Sequence, residues 1–165
     1  MGCRPLFQGN CGGGEAVDGE NKKFWQHKSL SEMSASQWEA LCDGCGRCCL
    51  HKLEDADTGE IFYTSIACHL LDIHRCHCTA YSNRAKAASD CLVLILQNTE
   101  IFSWLPKTCA YRRLFEGRAL PPWHPLVSGD PESVHAAGIS LRHRAVSDLH
   151  VNAQDFENYI IDIDH

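Results

Sequence analysis

Between residues 42 and 49 the chain reads C-D-G-C-G-R-C-C, which places Cys42, Cys45, Cys48 and Cys49 within eight positions. Cys68, Cys76, Cys78, Cys91 and Cys109 follow, so nine of the eleven cysteines fall between positions 42 and 109. Thiolates bind zinc, iron and cuprous copper strongly, whereas an unpaired surface thiol is an oxidation liability. Residues 42–91 hold eight cysteines and only short apolar runs. Such a segment is expected to fold around metal, with ligand binding and folding coupled.

The rest of the composition narrows the setting. A chain of 165 residues has room for one domain with one core. A formal net charge of −6 gives nucleic acid or an anionic membrane no electrostatic reason to recruit it. No run approaches the 18 apolar residues of a membrane-crossing helix. The N-terminus lacks the apolar core of a signal peptide, and Leu6 stands where a myristoylation signal wants serine or threonine. The expected compartment is therefore the cytoplasm. There the reducing thiol pool disfavours disulfides, and eleven is an odd number to pair.

Residues 1–23, glycine-rich and polar, are expected to form a tail that carries Cys3 and Cys11 without ligand spacing. Residues 24–165 are expected to form a single cysteine-cluster domain. Ser34 with Gln37, or Ser36 with Glu39, can build a capping box for a short helix leading into Cys42. Gly44 and Gly46 then permit the tight turns that aim successive thiols at one centre. Leu50–Leu53 and Ile61–Ile66 flank Asp55-Ala56-Asp57-Thr58-Gly59 and predict a hairpin. That loop partly resembles a calcium-binding EF-hand, but Gly59 falls one place early and its flanks are not helical.

Further along, Cys91–Ile101 is apolar enough to be buried and is assigned to a helix. Pro106–Phe115 predicts a second helix, begun by Pro106 and stopped by Gly117. Leu120–Pro125, with three prolines, must be extended or turned. Ile139, Leu141, His143 and Ala145 alternate as in a strand, and Phe156, Tyr159, Ile160 and Ile163 fall at helical spacing. The expected architecture is a small α+β domain with a large irregular part around the cysteines.

Cys42, Cys45 and Cys48 form C-x2-C-x2-C, and Cys49 is adjacent. Neighbouring thiols strain to chelate one ion together, so Cys48 and Cys49 more naturally serve two centres, or one of them bridges. Two tetrahedral zinc sites would use eight of the nine thiols, a polynuclear cluster could use all nine, and an iron–sulfur cluster would take four. The bacterial ferredoxin run needs C-x3-C-P after its third cysteine, and this chain has Cys49-Leu50 instead. His51, His69, His74 and His77 lie beside cysteines and add imidazoles, although most histidines sit partly exposed without a ligand role. His124, between Trp123 and Pro125, suits a structural place better. Cys109 can equally pack as a small apolar group.

The ordered segments C-D-G-C-G-R-C-C-L-H-K-L, A-C-H-L-L-D, C-H-C-x2-Y-x2-R, L-P-K-T-C-A-Y-R and W-H-P-L closely resemble the YcgN-type cysteine-cluster proteins. These belong to the broader CxxCxxCC group of zinc- or iron-chelating proteins. The resemblance runs from about Phe24 to Val146 and implies metal chelation without implying a reaction. The broader group often has R-P-x2-C after its C-x2-Y segment; here Ala85 follows Arg84, and Cys91 comes later.

The expected function is chelation of zinc or iron by Cys42, Cys45, Cys48, Cys49, Cys68, Cys76, Cys78, Cys91 and Cys109, with the metal ion as partner. One alternative is an iron–sulfur protein in electron transfer or redox sensing, and another is a metalloenzyme. No nucleophile–base pair or phosphate loop is legible, so the sequence leaves catalysis open.

Overall fold

The computed structural model of the chain describes residues 19–95 and 99–163. Most of the expected tail, with Cys3 and Cys11, lies outside them; Gly19–Gln26 forms a 3-10 helix broken at Lys23. The first α-helix, α1 (Ala35–Ala40), starts where the first of the two candidate capping boxes places it. Ser34 Oγ accepts from the Gln37 amide at 3.2 Å, and Gln37 Oε1 accepts from the Ser34 amide at 3.1 Å. Two of the amides that open a helix are thereby satisfied. Fully buried Leu41 ends the helix and hands the chain to Cys42.

The hairpin forms as expected from β1 (Leu50–Glu54) and β2 (Ile61–Ala67), antiparallel with Leu50 opposite Ala67. Asp55 Oδ1 accepts from the Asp57 and Thr58 amides and from Thr58 Oγ1, so this carboxylate closes the turn itself. A short second ribbon, β3 (Leu71–Asp72) with β4 (His77–Cys78), follows at once. The helix α2 (Arg84–Ala87) then leads to Cys91. On its far side β2 receives β5 (Val146–Ser147), parallel, and β6 (Ile160–Ile161), antiparallel. Strand β2 is therefore the spine of the sheet, and the fold is α+β.

Several expected elements are corrected. Cys91–Ile95 is neither helix nor strand, and a 3-10 helix follows at Thr99–Trp104. Leu92 and Leu94 pack against the first core while Cys91 turns to the cavity described below, so tertiary packing decides a run that periodicity cannot. Pro106 heads a turn in which its carbonyl accepts from the Cys109 amide at 2.9 Å, and helix α3 (Ala110–Phe115) begins only after Cys109. Gly117, at φ +70°, follows its C-cap as expected. Pro125 opens a four-residue helix, α4 (Pro125–Ser128), because proline suits a first helical turn, and α5 (Ser133–Ala136) follows.

The strand expected over residues 139–145 is absent. The Leu141 amide donates to the Cys45 carbonyl at 2.9 Å and the His143 amide to Ile73 at 3.0 Å, and a turn with His143 at φ +59° follows. This segment spends its backbone on the cysteine loop instead of on a sheet. After Asn152 the helix is of 3-10 type and ends at Tyr159, and Ile160 and Ile161 join β2.

Among the described residues two apolar cores result. One gathers Phe24, Trp25, Leu30, Leu41, Phe102, Leu105, Tyr111 and Leu120. The other, beneath the sheet, gathers Leu50, Ala67, Leu71, Leu141, Ala145 and Ile163.

Candidate metal centre

Residues of both cores meet at a cavity of about 570 Å³. Six of the nine expected ligands line it: Cys42, Cys48, Cys49, Cys68, Cys78 and Cys91. They arrive from the end of α1, the 3-10 turn Arg47–Cys49, the end of β2, strand β4 and the segment after α2. All nine are free thiols. Cys42 and Cys48 are exposed, and their open surface faces this cavity.

The turns between the first four thiols have identifiable causes. Gly44 and Gly46 stand at φ +72° and +76°, which L side chains rarely adopt. A Cβ on Gly46 would come within 2.8 Å of Cys76 Sγ, so this glycine also makes room for a thiol. Asp43 Oδ1 accepts from the Cys45 amide at 3.0 Å, while its Oδ2 is buried with no hydrogen-bond partner. Cys76, buried and itself at φ +60°, donates its thiol to the Cys45 carbonyl at 3.1 Å. Cys45 and Cys76 are thus buried and do not line the cavity, and neither does Cys109, the residue that precedes α3.

Electrostatic neighbours link the thiols through Cys48, which acts on Cys42, Cys45, Cys49, Cys76, Cys91 and Cys109. Cys42 and Cys45 each feel the charges of Cys48 and Cys109 as well as of Asp43. Cys49 feels Cys48, Cys78 and Cys68, and Cys91 feels the Arg84 guanidinium and then the same three thiols. Between the adjacent Cys48 and Cys49, the Cys49 thiol donates to the Cys48 sulfur. That bond pulls Cys48 down to about 7 and holds Cys49 up. Burial against the surrounding protein pushes Cys42 and Cys109 up to about 12 and holds Cys45 well above its ordinary value. A thiol buried beside other thiols resists ionisation until a cation offsets the charge, so this donor set suits a thiophilic metal.

Around the sulfurs the wall is aromatic and cationic. Tyr111 donates its hydroxyl to the Trp38 carbonyl at 2.8 Å, and the two rings lie 4.9 Å apart. Tyr81 donates to Glu39 and lies under the Arg84 guanidinium. Lys52 Nζ donates to the Cys48 and Leu50 carbonyls at 3.1 and 2.8 Å, bringing positive charge beside Cys48.

Two residues escaped the sequence reading. Arg47, inside the cysteine run, is buried and donates to the Ile139 and Ile163 carbonyls at 2.6 and 2.5 Å. An arginine between Gly46 and Cys48 was the available sign. Asp148 reaches the cavity rim beside Cys68, and nothing local announced it. Of the histidines, His51 and His69 line the cavity, whereas His74 and His143 pair with each other, Nδ1 to Nδ1, at 3.2 Å. His124 is fully buried, with Nε2 donating to the Leu41 carbonyl and Nδ1 accepting from the Leu126 amide.

The fold and this thiol-lined cavity define a cysteine-cluster protein. Residues 41–110 match the CxxCxxCC family, described as a putative zinc- or iron-chelating domain. The chain is 53% identical over 139 residues to a UPF0260 protein of Rhizobium etli (strain CIAT 652), covering 84% of this chain and 88% of that one. It is 56% identical over 138 residues to a UPF0260 protein of Sinorhizobium fredii (strain NBRC 101917 / NGR234), covering 84% and 89%. For one from Agrobacterium fabrum (strain C58 / ATCC 33970) the values are 54% over 139 residues, 84% and 86%. This chain belongs to the UPF0260 proteins of the CxxCxxCC family. No solved structure gives a significant match to it.

Proposed function

We propose that this protein chelates zinc or iron through its cysteine cluster, as a metal-handling or metal-stabilised protein of the cytoplasm without turnover of a substrate. The observation that carries this reading is the convergence of six thiols, drawn from five separate segments, on one cavity. The nine expected cysteines remain the ligand set. Cys42, Cys48, Cys49, Cys68, Cys78 and Cys91 line the cavity, and Cys45 and Cys109 lie electrostatically close to Cys42 and Cys48. Cys76, behind Gly46, is the most peripheral. Two tetrahedral ions would use eight of the nine thiols, and the adjacent Cys48 and Cys49 would then serve different ions.

A second reading, an iron–sulfur protein in electron transfer or redox sensing, draws on the size of the cavity. At about 570 Å³ it exceeds what two bare ions fill and leaves room for a polynuclear centre. Anaerobic purification followed by elemental analysis and a visible spectrum separates the two. Zinc is colourless, while a thiolate-held iron–sulfur cluster absorbs in the visible. In either case Cys48→Ser and Cys78→Ser should lose metal and Cys3→Ser should not, since a hydroxyl is a far poorer ligand for these ions than a thiolate. Equal metal loss in Cys3→Ser and Cys48→Ser, or no metal in the wild-type protein, would defeat the proposal.

A further inference from the structure

At the rim of the cavity the sheet sets three different donors together. Strand β5 pairs parallel with β2, Ile66 opposite Val146 and Ala67 opposite Ser147. One residue further along both chains, Cys68 comes beside Asp148, 80 positions away in sequence and held at the start of the 3-10 helix Asp148–His150. His69 follows Cys68 directly. The Cys68 sulfur, a ring nitrogen of His69 and a carboxylate oxygen of Asp148 all lie within 4.8 Å of one another.

A purely structural ion-pair network accounts for only part of this arrangement. His51 Nε2 lies 3.0 Å from Asp148 Oδ2 and satisfies that oxygen. Phe156 packs against the His51 ring at 5.1 Å and fixes its direction. Asp148 Oδ1, however, is buried with no hydrogen-bond partner among the described residues: His69 Nδ1 stands 3.3 Å from both carboxylate oxygens and bonds Oδ2. A buried carboxylate oxygen left unpaired keeps its desolvation cost, and a cation held with His69 and Cys68 would offset it.

We infer that Cys68, His69 and Asp148 form a mixed sulfur–nitrogen–oxygen site for a borderline divalent cation such as zinc or ferrous iron, with His51 orienting the carboxylate. Three protein donors leave a coordination position open to water, unlike a closed set of four thiolates. The site is therefore an exchangeable one at the mouth of the cavity. It rests on the chelation reading in one respect: Cys68 belongs to both centres, and its thiolate is where an ion taken up at the rim would meet the cluster.

The test is stepwise loading of the full-length reduced protein with cobalt(II) under anaerobic conditions, followed by challenge with azide and with a chromogenic chelator. In the wild-type protein, one equivalent should change its visible bands with azide and leave rapidly to the chelator, while thiolate-held equivalents leave slowly. His69→Ala, at a side chain 39% exposed, should lose the rapid equivalent or bind it about tenfold or more weakly. Asp148→Asn, which keeps the shape and an acceptor for His51, should do the same. Both variants should retain the slow equivalents and the wild-type near-ultraviolet circular dichroism. If Asp148→Asn does not fold, His69→Ala decides alone. Slow equivalents with no azide-sensitive rapid one, or a rapid equivalent unaltered in the variants, would overturn this inference and leave the chelation reading standing. A wild-type protein that binds no cobalt would overturn both.

Discussion

Gly44 and Gly46 stand two residues apart in the cysteine run with the same left-handed backbone, yet substitution should separate them. Alanine at either position meets the cost of that conformation, roughly 1–2 kcal/mol. At Gly44 a Cβ would enter open space, whereas at Gly46 it would strike Cys76 Sγ and crowd Leu71. Gly46→Ala should therefore be the more destabilising of the two and should also lower metal content, read from denaturation midpoints and elemental analysis. Equal effects would mean that the contact with Cys76 is slack. His124 supports a pH prediction. Burial holds its imidazole below the ordinary value, against the pull of the Leu41 carbonyl and of Asp43. The unfolded chain then takes up a proton that the folded chain refuses, so stability is complete above about pH 6.5 and declines as pH falls below it. One proton bounds the slope at about 1.4 kcal/mol per pH unit. Thermal melts between pH 7.5 and 5.5 should show a shallower decline in His124→Gln than in the wild-type protein. Parallel curves would reject the assignment.

Among the elements, those governed by short-range chemistry were legible and those governed by distant partners were not. The capping box of α1 and the turn closed by Asp55 are both made within a few residues, and both stand where the sequence puts them. Ser34→Ala should accordingly cost about 1 kcal/mol in a denaturant titration, because it leaves a helix amide unsatisfied. Its effect on metal content should be small, since α1 is also held by fully buried Leu41 and by the Tyr111 hydroxyl on the Trp38 carbonyl. The alternating residues from Ile139 to Ala145 misled for the opposite reason. Their pattern fits a strand, but the amides of Leu141 and His143 found carbonyls at Cys45 and Ile73, which no local rule can anticipate. Ile160 and Ile161 were likewise drawn out of a helical pattern by β2. The cysteines of the candidate site were legible because thiols in such density have few other uses. Asp148 was not, because a two-residue parallel pairing between distant segments places it.

At the scale of the molecule, two modest cores are joined across a cavity whose walls belong to both. Trp38, Leu92, Leu94 and Tyr111 come to it from the first, and Cys49, Leu50 and Leu71 from the second. Metal bound there would act as a cross-link between cores that are each small to be stable alone. Removing it with chelator under reducing conditions should lower the melting temperature and diminish the near-ultraviolet circular dichroism, to which Trp38 and Tyr111 contribute. An unchanged tertiary signal in verified metal-free protein would show that the cores dock without it.

The Arg47 guanidinium, already described as bonded to the Ile139 and Ile163 carbonyls, has a consequence in time. Its partners lie 92 and 116 residues downstream. A ribosome adding about 5–20 residues per second needs on the order of ten seconds to deliver the second of them. For the later part of that interval Cys42, Cys45, Cys48 and Cys49 are outside the ribosome, while the arginine among them still lacks the carbonyls that fix its loop. The nascent chain thus displays its most cysteine-dense segment before it can give that segment its final shape, and the residues just beyond the last strand of the sheet complete the arginine's bonds.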